Sequence, residues 1–141
     1  MYFGGLPVLV GLKYFANLQC IRLFGQQITS LKPLGEVAPT LEELWVCEGN
    51  LKELDGVDHC VRLKKLFLYE NAIEDASCLA VLTALQHLNL ASNKLRNLAV
   101  IALANVRSVE LGRKCVSDEA KRDETQTRDS VATRRDSTAA R

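Results

Sequence analysis

An eleven-residue segment, LEELWVCEGNL beginning at Leu41, returns as LKKLFLYENAI at Leu63 and as LQHLNLASNKL at Leu85, a period of 22 residues. Looser copies, LQCIRLFGQQI at Leu18 and VRSVELGRKCV at Val106, flank these three. No other feature constrains the fold as tightly. A unit this short cannot bury an apolar face alone, so successive copies have to stack into a quasi-linear array in which each contacts its neighbours.

Each copy follows the pattern LxxLxLxxNxL and continues with apolar residues three and six places later. These are Ile28, Leu31, Leu34; Leu51, Leu54, Val57; Ile73, Ala76, Leu79; and Leu95, Leu98, Ile101. A further apolar residue precedes each following copy, at Val37, Cys60, Leu82 and Ala104. The alternating LxL segment predicts a short strand, and the wider spacing after it predicts a turn and a short helical or 3-10 return. Because a strand sends successive side chains to opposite faces, the second and third leucines of each copy point inward and the residues beside them point outward. Asn71 and Asn93 stand where the strand ends, placed to bond the backbone of the turn. Gln26, Gly49 and Lys114 occupy that slot in the other copies, with Asn50 one place away as a candidate substitute.

These residues resemble the leucine-rich repeat family, and the 22-residue period with short polar turns is similar to its intracellular subclass, which includes the regulatory subunit of type-one protein phosphatase. The resemblance covers about 6–116. It implies an α/β repeat: a leucine-rich repeat solenoid with a short parallel concave sheet and short helical or 3-10 convex segments. It also implies protein recognition without naming a partner. Some similar repeats serve in ribonucleoprotein complexes, where this chain would act through a protein because it has no basic stripe.

The outward strand positions form three columns: Cys20, Glu43, Lys65, His87, Ser108; then Arg22, Trp45, Phe67, Asn89, Glu110; then Phe24, Cys47, Tyr69, Ala91, Gly112. Phe24, Trp45, Phe67 and Tyr69 thereby converge on the concave surface. Exposed aromatic clusters mark interaction sites, where tryptophan and tyrosine are enriched. The other reading of these rings is that they pack on one another and stiffen the sheet, or are covered by the tail. Arg22, Glu43, Lys65 and His87 form the polar surround. Glu43 faces Lys65 and Glu42 faces Lys64 on the next strand, a cross-strand ladder worth under about 1 kcal/mol per pair.

Composition removes other functions. Eighteen basic against 17 acidic residues leave a net charge of +1, so overall charge points neither to a nucleic-acid backbone nor to an anionic membrane. The apolar run 6–10 is far short of the roughly 20 residues of a membrane span, and no targeting segment is read. The five cysteines form no CxxC pair and suit reduced thiols, and no N-x-Ser/Thr acceptor occurs. A cytoplasmic location is expected, with nuclear and ciliary ones compatible. His59 and His87 are the only histidines. His87 lies two strands from Cys47 without a third group to orient it, and an open strand face supplies no oxyanion site. No Gly-rich phosphate loop is present. Neither a catalytic residue, a metal, a cofactor nor a small-molecule substrate is expected.

Leu6, Leu9, Leu12 and Phe15 repeat the spacing of the back half of a copy, so the chain is expected to open mid-repeat. The pattern stops after Val116, where the next core positions would be Glu119 and Arg122. Residues 117–141 contain no Leu, Ile, Phe, Tyr or Trp and are expected to form a disordered charged tail, with Ser137 after Arg134 and Arg135 in the pattern of a basophilic kinase site. The sequence therefore predicts a solenoid over 1–116, with copies starting at 18, 41, 63, 85 and 106, and a tail over 117–141. Its expected function is a non-catalytic protein-interaction module. The alternative is a structural fragment of a longer scaffold without an independent partner, or a regulatory subunit of a phosphatase or ribonucleoprotein complex.

Overall fold

The structure, a computed structural model, describes residues 8–97 and 106–111. Five strands form one sheet in sequence order: β1 (Cys20–Phe24), β2 (Glu43–Cys47), β3 (Lys65–Phe67), β4 (His87–Asn89) and β5 (Ser108–Glu110). All neighbours are parallel, and each strand pairs with its repeat equivalent: Ile21 with Leu44, Leu44 with Leu66, Leu66 with Leu88, and Leu88 with Val109. Parallel strands need a crossover, and the three that join β1 to β4 are each made by a 3-10 segment of one or two turns: Lys32–Glu36, Val57–His59 and Ser77–Val81, with Leu12–Tyr14 ahead of β1. The fold is the solenoid that the repeat predicts.

Three devices keep the returns short. Pro33 sits in the first turn of Lys32–Glu36, where its missing N–H costs nothing. Gly56 precedes Val57–His59 at φ 97°, and a Cβ there would lie 2.5 Å from the Leu31 carbonyl oxygen of the repeat below. The Asp75 carboxylate accepts from the Ser77 amide at 2.8 Å at the start of Ser77–Val81.

Between sheet and returns lies a continuous core. Every described core position of the four complete copies is buried except Leu18, which is partly covered. Leu44, Leu66 and Leu68 have no exposed surface. The asparagine ladder forms at Asn71 and Asn93. Asn71 Nδ2 donates to the Val46 oxygen of the preceding repeat at 2.8 Å, and its Oδ1 accepts from the Leu51 amide at 3.2 Å. Asn93 repeats this with Leu68 and Ile73. At the Gly49 position a side chain has no room, since a Cβ would stand 2.8 Å from the Gln26 oxygen and 3.0 Å from Asn71 Oδ1.

Two sequence expectations are corrected. Asn50 does not replace the missing ladder residue: it is exposed and bonds the Gln27 side chain. Phe15 is not a core residue; Leu9 and Leu12 are buried, but Phe15, which ends the short 3-10 turn with its backbone N–H bonded to the Leu12 oxygen, is 58% exposed. The expected tail, Ser137, Lys114 and Gly112 lie outside the described residues.

Candidate functional site: the concave sheet face

The first two outward columns occur in the register read from the repeat, and in the third Phe24 pairs with Cys47. Cys20 pairs with Glu43, Glu43 with Lys65, Lys65 with His87, and His87 with Ser108; Arg22 pairs with Trp45, Trp45 with Phe67, and Phe67 with Asn89. This alignment sets the ring geometry. Trp45 and Phe67 are direct neighbours and stack at 3.9 Å between centroids with 21° between planes. Phe24, diagonal to Trp45, meets it at 5.9 Å and 49°. On the β1 side the Arg22 guanidinium lies 5.4 Å from the centre of the Trp45 ring. The tryptophan is therefore flanked by an arginine and two phenylalanines, half-buried rather than standing free.

Glu43 is the polar centre of the face. Its Oε1 accepts from Arg22 Nη2 at 2.7 Å, Arg22 Nε at 3.2 Å and the Trp45 indole Nε1 at 2.7 Å, while Lys65 Nζ stands 3.6 Å from Oε2. The Arg22 hydrogen bonds first, and then the Trp45 indole, hold its carboxyl below the ordinary glutamate value. The ladder predicted between Glu43 and Lys65 is present, but Arg22 is the tighter partner. Glu42 and Lys64 meet at 2.7 Å on the adjoining row.

The other candidate residues are less closely bound together. Tyr69 and His87 are partly buried, and Tyr69 shares its column with Cys47 and Phe24. Cys47 lies in the outward column as expected yet is buried: its Sγ donates to the Phe67 carbonyl at 3.3 Å, and burial pushes the thiol up to about 12. Cys60, in the core, is pushed up to about 11 by the same cause. Neither thiol yields the thiolate that nucleophilic chemistry requires. Among the described residues no three His, Cys, Asp or Glu side chains gather as a metal site would require, and no helix is long and apolar enough to cross a membrane.

One feature escaped the sequence reading. After each of the first four strands the chain turns through a left-handed residue, Gly25 (φ 63°), Glu48 (59°), Glu70 (56°) and Ser92 (56°). Glu48 and Glu70 thus form an exposed acidic pair at the C-terminal rim of the face. The signal was in the repeat: aligning the copies places both glutamates in the slot that Gly25 fills.

Comparison with known proteins agrees with this geometry. An internalin C2 from Listeria monocytogenes superposes with a TM-score of 0.63 and 29% identity, covering 71% of this chain and 44% of that one. A second internalin of the same organism, inlF, gives 0.74 and 25%, covering 82% and 35%. The fold is a leucine-rich repeat solenoid. Leucine-rich repeat-containing protein 56 from Homo sapiens is 33% identical over 88 residues, and the Mus musculus protein 34% over 85. The chain spans 16% and 15% of the length of these two relatives. No protein-family model matches. The leucine-rich repeat is thus supported by sequence and by shape.

Proposed function

We propose that the concave face of β1 to β4 binds a protein partner and that the chain acts without catalysis. The observation carrying this reading is the Phe24–Trp45–Phe67 stack, an apolar strip on an otherwise polar sheet face, fixed in place by Arg22 and Glu43. Apolar area held rigid before contact costs little ordering entropy on binding. Phe24, Trp45, Phe67 and Tyr69 serve as anchors, and Arg22, Glu43, Lys65 and His87 as the polar surround. The setting is cytoplasmic. The reading as an intracellular-subclass repeat rests on its 22-residue period, and 41–73 also resembles leucine-rich repeat-containing protein nine.

A second reading draws on one finding: the relatives are several times longer than this chain. In it, the strip is covered by another part of a longer polypeptide. Quantitative affinity capture separates the two. Phe67→Ala and Tyr69→Ala should each reduce recovery of a discrete partner from cell extract several-fold, while exposed Lys52→Ala, outside the sheet, should not. Equal recovery by all four proteins, at matched folding, would remove the concave partner.

A further inference from the structure

The concave face differs in charge from one rim to the other. Arg22 and Lys65 share Glu43, so this rim retains a surplus of positive charge. At the opposite rim Glu48 and Glu70 follow one another on adjacent repeats, where neighbouring strands run about 4.8 Å apart. Among the described residues the ion pairs engage Glu42, Glu43, Asp55, Asp58 and Glu74, and none engages Glu48 or Glu70. Like charges side by side on a sheet are destabilising, and a side chain in the left-handed region adds backbone strain. The turn does not call for a carboxylate: Gly25 makes it without the strain, and Ser92 makes it without the charge. Tyr69 lies beside the pair: burial first, then Cys47 and the two glutamates, raises its hydroxyl above the ordinary tyrosine value.

We infer that the partner segment combines a large apolar side chain with an arginine or lysine, the apolar group laid on the Trp45–Phe67 stack and the cation set between Glu48 and Glu70. The inference rests on the concave-face reading above and gives its occupant a chemistry. Charge complementarity selects it: two carboxylates without an ion pair among the described residues, beside an aromatic strip, match a guanidinium, whose planar fork can bond both and whose stem packs on Tyr69. An acidic segment would meet repulsion at this rim.

The test uses dye-labelled synthetic peptides in which leucine and arginine recur in a serine-rich background, with twins carrying glutamate or serine in place of arginine. Fluorescence anisotropy with the full chain should show the arginine peptide binding most tightly, and the double variant Glu48→Gln, Glu70→Gln should weaken it by about tenfold, the effect of two partly exposed ion pairs. Glu53→Gln, an exposed acid elsewhere, should leave it unchanged. Equal affinity for the glutamate or serine twin, no binding of the arginine peptide, or an unaffected double variant would overturn the inference. If Phe67→Ala weakens capture from extract while the double variant does not, the concave reading stands and the cationic partner falls.

Discussion

Glu43 and Trp45, two residues apart on one strand, are joined by an indole N–H donating to carboxylate Oε1 at 2.7 Å, and the same oxygen holds Arg22. An outward tryptophan is thereby fixed without entering the core. The sequence offers two readings of this ring, an interaction anchor and a ring packed on its neighbours; it is packed on Phe67 and Phe24, yet remains only half-buried.

The Glu43 contacts make this arrangement acid-sensitive. A carboxylate whose folded pKa is depressed stabilises the fold fully above its unfolded value, and that contribution disappears as pH falls through the folded value. With the ordinary glutamate value at 4.5, the loss should begin below about pH 4.5. Trp45 fluorescence should change over the same interval, and Glu43→Gln should flatten the acid limb of a Tm-against-pH curve. An unchanged acid limb in the variant would mean that Glu43 does not couple to folding.

Gly25 and Gly56 both lie at positive φ, yet their surroundings differ. Around Gly25 a Cβ would meet nothing within 4 Å, whereas at Gly56 it would meet the backbone of Leu31 and Lys32. Gly25→Ala should cost about 1 kcal/mol from backbone strain alone. Gly56→Ala should cost clearly more, because two repeats have to separate to admit the methyl group. Equal urea midpoints for the two variants would contradict the close stacking of the returns.

Much of this was legible in the repeat. The strand register, the inward leucines and the outward columns follow from a period of 22 with alternating residues, because a parallel stack aligns equivalent positions whatever their chemistry. What could not be read was how outward side chains share space. Cys47 became buried through its position beside Phe24 and the Phe67 backbone, and Trp45 became half-buried through Phe67 and Arg22, which are contacts between strands. The acidic rim was missed for another reason. The left-handed turn is a backbone state that glutamate rarely adopts, so neither residue announced it.

Core truncation tests the inward register directly. Leu66→Ala should cost roughly 2 to 5 kcal/mol, since the side chain is fully buried at the centre of the stack. A variant melting like the wild type would place Leu66 outside the core.

Thiol chemistry gives an independent check on burial. In native protein at pH 8, alkylation followed by mass spectrometry should label exposed Cys20 and spare Cys47 and Cys60 until denaturant is added. Rapid native labelling of Cys47 would show that the column beside Phe24 is open.

The chain's single tryptophan reports on the concave face most directly. Acrylamide quenching of Trp45 should be intermediate in the free protein, as a flanked but unsealed ring requires, and should fall sharply when a captured partner, or the arginine-leucine peptide, reaches saturation. Phe67→Ala should remove that protection together with the affinity. Quenching that stays the same at saturating partner would place the bound surface elsewhere and contradict the concave-face account.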